Sequence, residues 1–137
     1  MAKLRHLAIA TDDPDRTAQF YIDTFEFTKV RSAGGIWGHG HILSDGTINL
    51  AILRFVTDEA AGTEKGVAYR GLHHIGFEVD DVDVAAGRVE AAGCRARNDI
   101  DAALGIAHDG PIKGEFKYEG PDGVVFDLSQ PGVWQLS

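Results

Sequence analysis

The chain has one cysteine, Cys94, in 137 residues. No internal disulfide is open to it, and so little cysteine fits a reducing compartment, so the expected location is cytoplasmic. Basic residues are also scarce: 13 Lys and Arg stand against 21 Asp and Glu, a net charge of −8. Binding to phosphate backbones needs a basic stripe, and none is present, so nucleic acid is not an expected partner. No apolar run is long enough for a signal peptide or a bilayer span, so a membrane is not expected either. What remains is ordinary. The hydrophobic content of 44% suits a globular protein, and the length suits a single domain, 1–137, or two half-domains sharing a core.

The most informative feature is an internal repeat. His6-Leu7-Ala8-Ile9-Ala10-Thr11-Asp12-Asp13 returns in degenerate form as His74-Ile75-Gly76-Phe77-Glu78-Val79-Asp80-Asp81, an offset of 74 − 6 = 68. Asp45-Gly46-Thr47-Ile48-Asn49-Leu50 returns as Asp122-Gly123-Val124-Val125-Phe126-Asp127-Leu128, with one extra residue in the second copy.

Patterning gives each copy the same order. Leu4 to Ala10 reads as a strand. Asp13-Pro14 is a helix start, with Ala18, Tyr21, Ile22 and Phe25 as its apolar face. Strands are expected at Phe27 to Val30, Ile36 to Leu43 and Thr47 to Phe55, with a loop at Ser32 to Gly35 and a tight turn at Asp45-Gly46. Residues 57–70 are polar and Gly/Ala-rich and read as a linker. In the second copy Leu72 to Val79 is a strand. Asp81 or Asp83 caps a helix whose buried stripe is Val84, Ala85, Val89 and Ala92, and Gly93 ends it. Arg95 to Gly110 is poorly patterned and reads as a short strand and a loop. Strands at Lys113 to Tyr118 and Val124 to Leu128 flank a turn at Gly120 to Gly123. The expected class is α+β, two βαβββ modules at about 3–56 and 71–131, with a cavity in their joint concave sheet.

Each module opens with a strand histidine and closes with a polar residue inside an apolar strand. These are His6, Asn49, His74 and Asp127. A lone strand histidine is most often a hydrogen-bonded structural residue. Duplication explains why the four positions correspond, but not why all four are polar. Two imidazoles and a carboxylate form a set that suits Fe(II), Mn(II), Zn(II) or Ni(II), so the four are the expected ligands of a divalent metal ion. Asp127, the only acid among them, is the expected catalytic base.

The same residues carry a family likeness. The doubled order, with RHLAIATDDPDRTAQFYIDTF, GLHHIGFEVDDVD and GPDGVVFDLSQPG, resembles the vicinal oxygen chelate superfamily of glyoxalase I, bleomycin-resistance proteins, methylmalonyl-CoA epimerase and extradiol dioxygenases. The resemblance implies metal ligands at His6, Asn49, His74 and Asp127, with the metal Fe, Ni, Co, Mn or Zn. Of the pair His73-His74 it selects His74, leaving His73 on the opposite face as a structural residue. It also implies a small oxygenated substrate bound through vicinal oxygens, and a homodimer, which Trp134 and Trp37 would support as exposed interface aromatics. Three activities follow. The first is proton transfer beside a carbonyl, as in a glyoxalase-type lyase or an epimerase. The second is Fe(II) ring cleavage by a dioxygenase, which needs only His6, His74 and Asp127. The third is binding without catalysis, as in the bleomycin-resistance branch. Epimerases of this kind need a second acid near the middle strands, and residues 32–41 hold none; His39 and His41, which share a strand face, are the proton shuttle that stretch could offer.

Overall fold

A computed structural model describes all residues, 1–137. Its first strand, β1 (Lys3–Ala10), leads into α1 (Pro14–Phe25), followed by β2 (Thr28–Gly35), β3 (Gly38–Ser44) and β4 (Asn49–Phe55). A short helix, α2 (Asp58–Ala61), lies within the connecting stretch. Then come β5 (Gly71–Glu78), α3 (Val82–Ala91), β6 (Arg95–Ala96), α4 (Asn98–Leu104), β7 (Phe116–Glu119) and β8 (Val125–Ser129). The eight strands form one sheet in the order β2-β3-β4-β1-β5-β8-β7-β6, curled and mixed with helices as an α+β fold.

The repeat offset has a direct structural meaning. β1 and β5 run antiparallel at the centre of the sheet, with His6 opposite Gly76 and Ala8 opposite His74. Each pair maps onto the other under the 68-residue shift, so a pseudo-twofold axis passes between these strands. Register shifts leave Arg5 unpaired in β1 and His73 unpaired in β5, so the two bulges are related by the same axis. A bulge puts two residues opposite one and re-aims the side chains beside it.

Each helix covers its own half. Asp13 caps α1 through a 3.1 Å bond from the Arg16 N–H, a contact worth about 1 kcal/mol. Ala18 of α1 packs with Leu43, Leu50 and Ile52, supported by Tyr21 and Ile22. Alternation along β4 therefore sends Leu50 and Ile52 under the helix and leaves Asn49 and Ala51 on the other face. In the second half Val82, Val79, Tyr118 and Leu128 form the equivalent cluster, with Ala85 and Val89 against it.

Several expected details differ. Phe25 and Val84 are exposed, at 59% and 53%, because Glu26 turns α1 away in a left-handed cap and because the buried anchor of α3 is Val82. Residues 32–35, expected as a loop, extend β2, pairing with Gly38 to His41. The weakly patterned stretch after Arg95 contains α4, which ends at Gly105 in the left-handed region. Arg97 precedes this helix and is almost fully buried. It donates to Glu64 in the connecting stretch, to Asp99 and to Glu119, so the stretch read as a plain linker is tied to the second half by a partly exposed ionic network centred on Arg97. No helix is long and apolar enough to cross a membrane.

Candidate metal centre

β1 and β4 run parallel with His6 opposite Asn49, while β5 and β8 run parallel with Gly76 opposite Asp127. Both pairs therefore stand beside the pseudo-twofold axis on the concave face. His6, Asn49, His74 and Asp127 are all buried, and nitrogen or oxygen atoms of His6, His74 and Asp127 lie within 4.8 Å of one another. His6 Nε2 and His74 Nε2 are 3.2 Å apart, and His74 Nε2 is 3.6 Å from Asp127 Oδ2.

The tautomers follow from the hydrogen bonds at the far side of each ring. His73 Nε2 lies 2.7 Å from the Ala61 carbonyl, which can only accept. Burial lowers the His73 pKa to about 4, so the ring is neutral and its Nδ1 is an acceptor. His74 Nδ1, at 2.8 Å, must then donate to it. His74 is itself held neutral, chiefly by burial and next by Lys117, so its Nε2 carries a free lone pair. On the other side the Asn49 amide N–H donates to the Gln135 carbonyl at 2.8 Å. Asn49 Oδ1 therefore faces His6 Nδ1, 2.7 Å away, and accepts from it. Burial lowers the His6 pKa to about 4, against the opposing effect of the Asn49 bond, and its Nε2 is also bare.

Two lone pairs therefore face each other across 3.2 Å, beside a buried carboxylate whose Oδ1 has no hydrogen-bond partner. Ligand atoms about 2.1 Å from an ion are about 3.0 Å apart at a right angle and about 3.4 Å apart at a tetrahedral one. The donor set and its spacing fit a divalent ion. Asn49 stands behind the His6 ring here, with both ends of its amide engaged.

Lys117, on β7 directly opposite Asp127, was not singled out in the sequence. Its ammonium is buried and lies 3.3 Å from Asp127 and 3.6 Å from Asp101. Burial opposes its charge, but Asp127, Glu115 and Asp101 outweigh burial and hold it above the ordinary lysine range. Asp127 is pulled two ways: burial raises its pKa to about 7 although Lys117 works against the rise. Asp127 is the softer partner, because one of its oxygens is unbonded. The pair is ionic above neutrality, and below it Asp127 takes the proton.

His6, Asn49, His74 and Lys117 line a cavity of about 210 Å³, while Asp127, fully buried, lies behind them and does not reach its surface. Its walls are mainly apolar, including Ala33, Ile42, Leu53 and Phe55, and its charged lining comes from Arg31, Glu115 and Lys117. Glu115 supplies a second carboxylate, from a residue in the left-handed region at φ 60°. His73 also faces this cavity. The bulge in β5 brings it beside His74, which corrects the expectation of an opposite face. His39 and His41 do not line the cavity; His41 instead contacts Asp15 of α1 at 2.6 Å. Trp134 is folded onto its own chain, stacked on His6 at 4.9 Å, and Trp37 packs against Phe55. Neither is an exposed aromatic that favours a dimer.

A family model described as the Glyoxalase/Bleomycin resistance protein/Dioxygenase superfamily matches residues 3–128. The chain belongs to that superfamily. A methylmalonyl-CoA epimerase in complex with methylmalonyl-CoA and NH4+ is similar in fold, with a TM-score of 0.71, 23% identity and coverage of 100% of this chain and 99% of that one. A single-substitution variant of the Streptomyces coelicolor methylmalonyl-CoA epimerase, in complex with 2-nitronate-propionyl-CoA, gives 0.69 and 24% over 97% and 96%. A hypothetical protein from Bacillus halodurans C-125 gives 0.72 and 16% over 99% of each chain. No curated protein matches in sequence.

Proposed function

We propose that this chain is a metal-dependent enzyme that moves a proton at a carbon next to a carbonyl in a small oxygenated substrate, as a glyoxalase-type lyase or an epimerase does. The observation that carries the proposal is the pair of bare imidazole nitrogens 3.2 Å apart beside Asp127. His6, His74 and Asp127 would hold a divalent ion, whose chemistry is to stabilise negative charge on substrate oxygens as a Lewis acid. Asn49 and His73 hold the two rings in their ligating tautomers. In the metal-free protein burial raises the Asp127 pKa to about 7; a bound ion would pull it down and leave an ionised carboxylate as the proton acceptor. Glu115 offers the second acid that a two-base isomerase needs, from β7's approach rather than from the middle strands of the first module. The apolar walls limit water at the reacting carbon. The likeness to methylmalonyl-CoA epimerases supports this reading at the level of the fold. A homodimer rests on the superfamily resemblance alone.

The test is deuterium exchange at the carbon beside the carbonyl. Methylmalonyl-CoA and the hemithioacetals of small 2-oxoaldehydes are incubated in D2O with chelator-treated protein, before and after adding Ni, Co, Mn, Zn or Fe(II). Exchange that appears only with metal and fails in Asp127→Asn is expected. No metal-dependent exchange across the panel would remove the reading.

One observation favours a second reading. With Asn49 turned behind His6, the donors reduce to two imidazoles and one carboxylate, the set used by Fe(II) oxygenases. Oxygen uptake by Fe(II)-loaded protein with a catechol panel distinguishes ring cleavage from proton transfer.

A further inference from the structure

Two charged groups of the cavity are not used by the proposed proton chemistry: Lys117, which is paired with Asp127 and Asp101, and Arg31, which is unpaired. β2, an edge strand, pairs Lys29 with Leu43 and Arg31 with Ile42, which leaves Val30 as an extra residue. Strict alternation would send Val30 and Arg31 to opposite faces. The bulge brings both to the concave side: Val30 packs on Ala8, Ile42 and Ala51, and Arg31 lines the cavity. Its one hydrogen bond is a 3.4 Å contact to the carbonyl of Ser32, and no carboxylate lies within ion-pair distance. Arg5, Arg70, Arg95 and Arg97 each have an acidic partner, whereas Arg31, like Arg16, Arg54 and Arg88, has none; of these four only Arg31 lines this cavity.

A guanidinium presents a rigid fork of donors that matches oxyanions. We propose that Arg31 anchors an oxyanion of the substrate, so that the cavity takes an amphipathic acid. Its anionic group sits on Arg31. Its apolar body runs along Ala33, Ile42 and Leu53, and its oxygenated end reaches His6 and His74. This rests on the cavity being the substrate site of the proposed function. β2 is three strands from β1, about 14 Å along a flat sheet and less across a curled one, so the body needs several carbons. A carboxylate and a phosphate ester share the chemistry that Arg31 reads.

The experiment uses isotope-labelled, chelator-treated protein, titrated by NMR with pentanoate, pentyl phosphate and pentanamide. Without metal, the result is independent of whether the proton-transfer reading holds. One or both anions should bind at least about fivefold more tightly than the amide, as a charge-assisted bond predicts, and the tighter anion names the source. Arg31→Gln should remove that preference, with Arg31→Lys restoring part of it. Equal binding of acid and amide to the wild type would overturn the proposal. So would an anion preference that survives Arg31→Gln, which would assign recognition to Lys117.

Discussion

His6 Nε2 and His74 Nε2 face each other at 3.2 Å with no hydrogen available to either. Each ring spends its one proton on the far side, on Asn49 Oδ1 for His6 and on His73 Nδ1 for His74. The protein thus assembles two donors that repel until a cation lies between them. The rest of the site is organised around that arrangement, and its consequences are measurable.

His73 should govern metal affinity without touching the ion. Removing its acceptor in His73→Phe frees the His74 ring to change tautomer. The expected loss is about 10- to 100-fold in metal affinity, less than for His74→Ala. Asn49→Ala should likewise weaken binding less than His74→Ala does. Competition with a chromogenic chelator gives the ranking, and nitrogen NMR of the metal-free protein reads the His74 tautomer. An unchanged tautomer in His73→Phe would contradict the relay.

Lys117 opposes the ion that the other residues favour. Lys117→Met removes a buried positive charge 3.3 Å from Asp127 and should raise metal affinity by tenfold or more. It also strands a buried carboxylate, which costs about 3–5 kcal/mol without metal. Thermal melts should therefore show a lower Tm than wild type in chelator and a larger rise on adding metal.

Acid should unfold the metal-free protein early. The pKa values of His6 and His73 are lowered to about 4 and that of His74 well below its ordinary value. Between about pH 6.5 and 4 the unfolded chain therefore binds three protons that the folded chain does not. Stability is present above the unfolded histidine value and is lost as the pH falls through this window. Asp127 and Asp101 act in the opposite sense, since burial raises both carboxyl pKa values, that of Asp127 to about 7, and a raised carboxyl pKa favours the folded state as the pH falls. Three histidines outweigh two acids, so denaturation midpoints in chelator should drop from pH 6.5 to 4.5. A flat profile would mean that the histidines are not buried neutral.

Gly76 provides space for the tail. A Cβ there would lie 2.6 Å from the Trp134 ring and 2.9 Å from His6 Cβ. Gly76→Ala should cost about 1–3 kcal/mol of stability through overpacking, read as a lower Tm, and release Trp134, seen as a red-shifted and more quenchable fluorescence. The other tryptophan, Trp37, is away from this contact and should keep its signal.

The site was partly legible in the sequence because duplication marks it. The 68-residue offset picked out His6 and His74, and the pseudo-twofold ladder makes them neighbours. His73 and Arg31 were not legible, since each faces the cavity through a bulge, and a bulge breaks the alternation that strand reading depends on. Lys117 had a signal. Pairing outward from the turn at Gly120 to Gly123 sets Tyr118 opposite Phe126 and Lys117 opposite Asp127. The run Glu115-Phe116-Lys117-Tyr118-Glu119 instead reads as a strand with one solvated face, but that face is the cavity. α4 was missed because its buried contacts, Ile100 and Asp101, include an acid that pairs with Lys117 across the fold, which no local pattern reveals. Leu104 and Ile106 at its end then line the cavity.

The central claim is that His6, His74 and Asp127 form one divalent-metal site. Its most direct test is metal content and titration: chelator-treated protein is loaded with Ni, Co, Mn, Zn or Fe(II), desalted, and analysed by elemental analysis with calorimetric titration in parallel. One ion per chain in the wild type, falling to background in both His74→Ala and Asp127→Asn while both remain folded by circular dichroism, is the predicted result. No stoichiometric binding of any of these ions, or equal binding by the wild type and both variants, would contradict it.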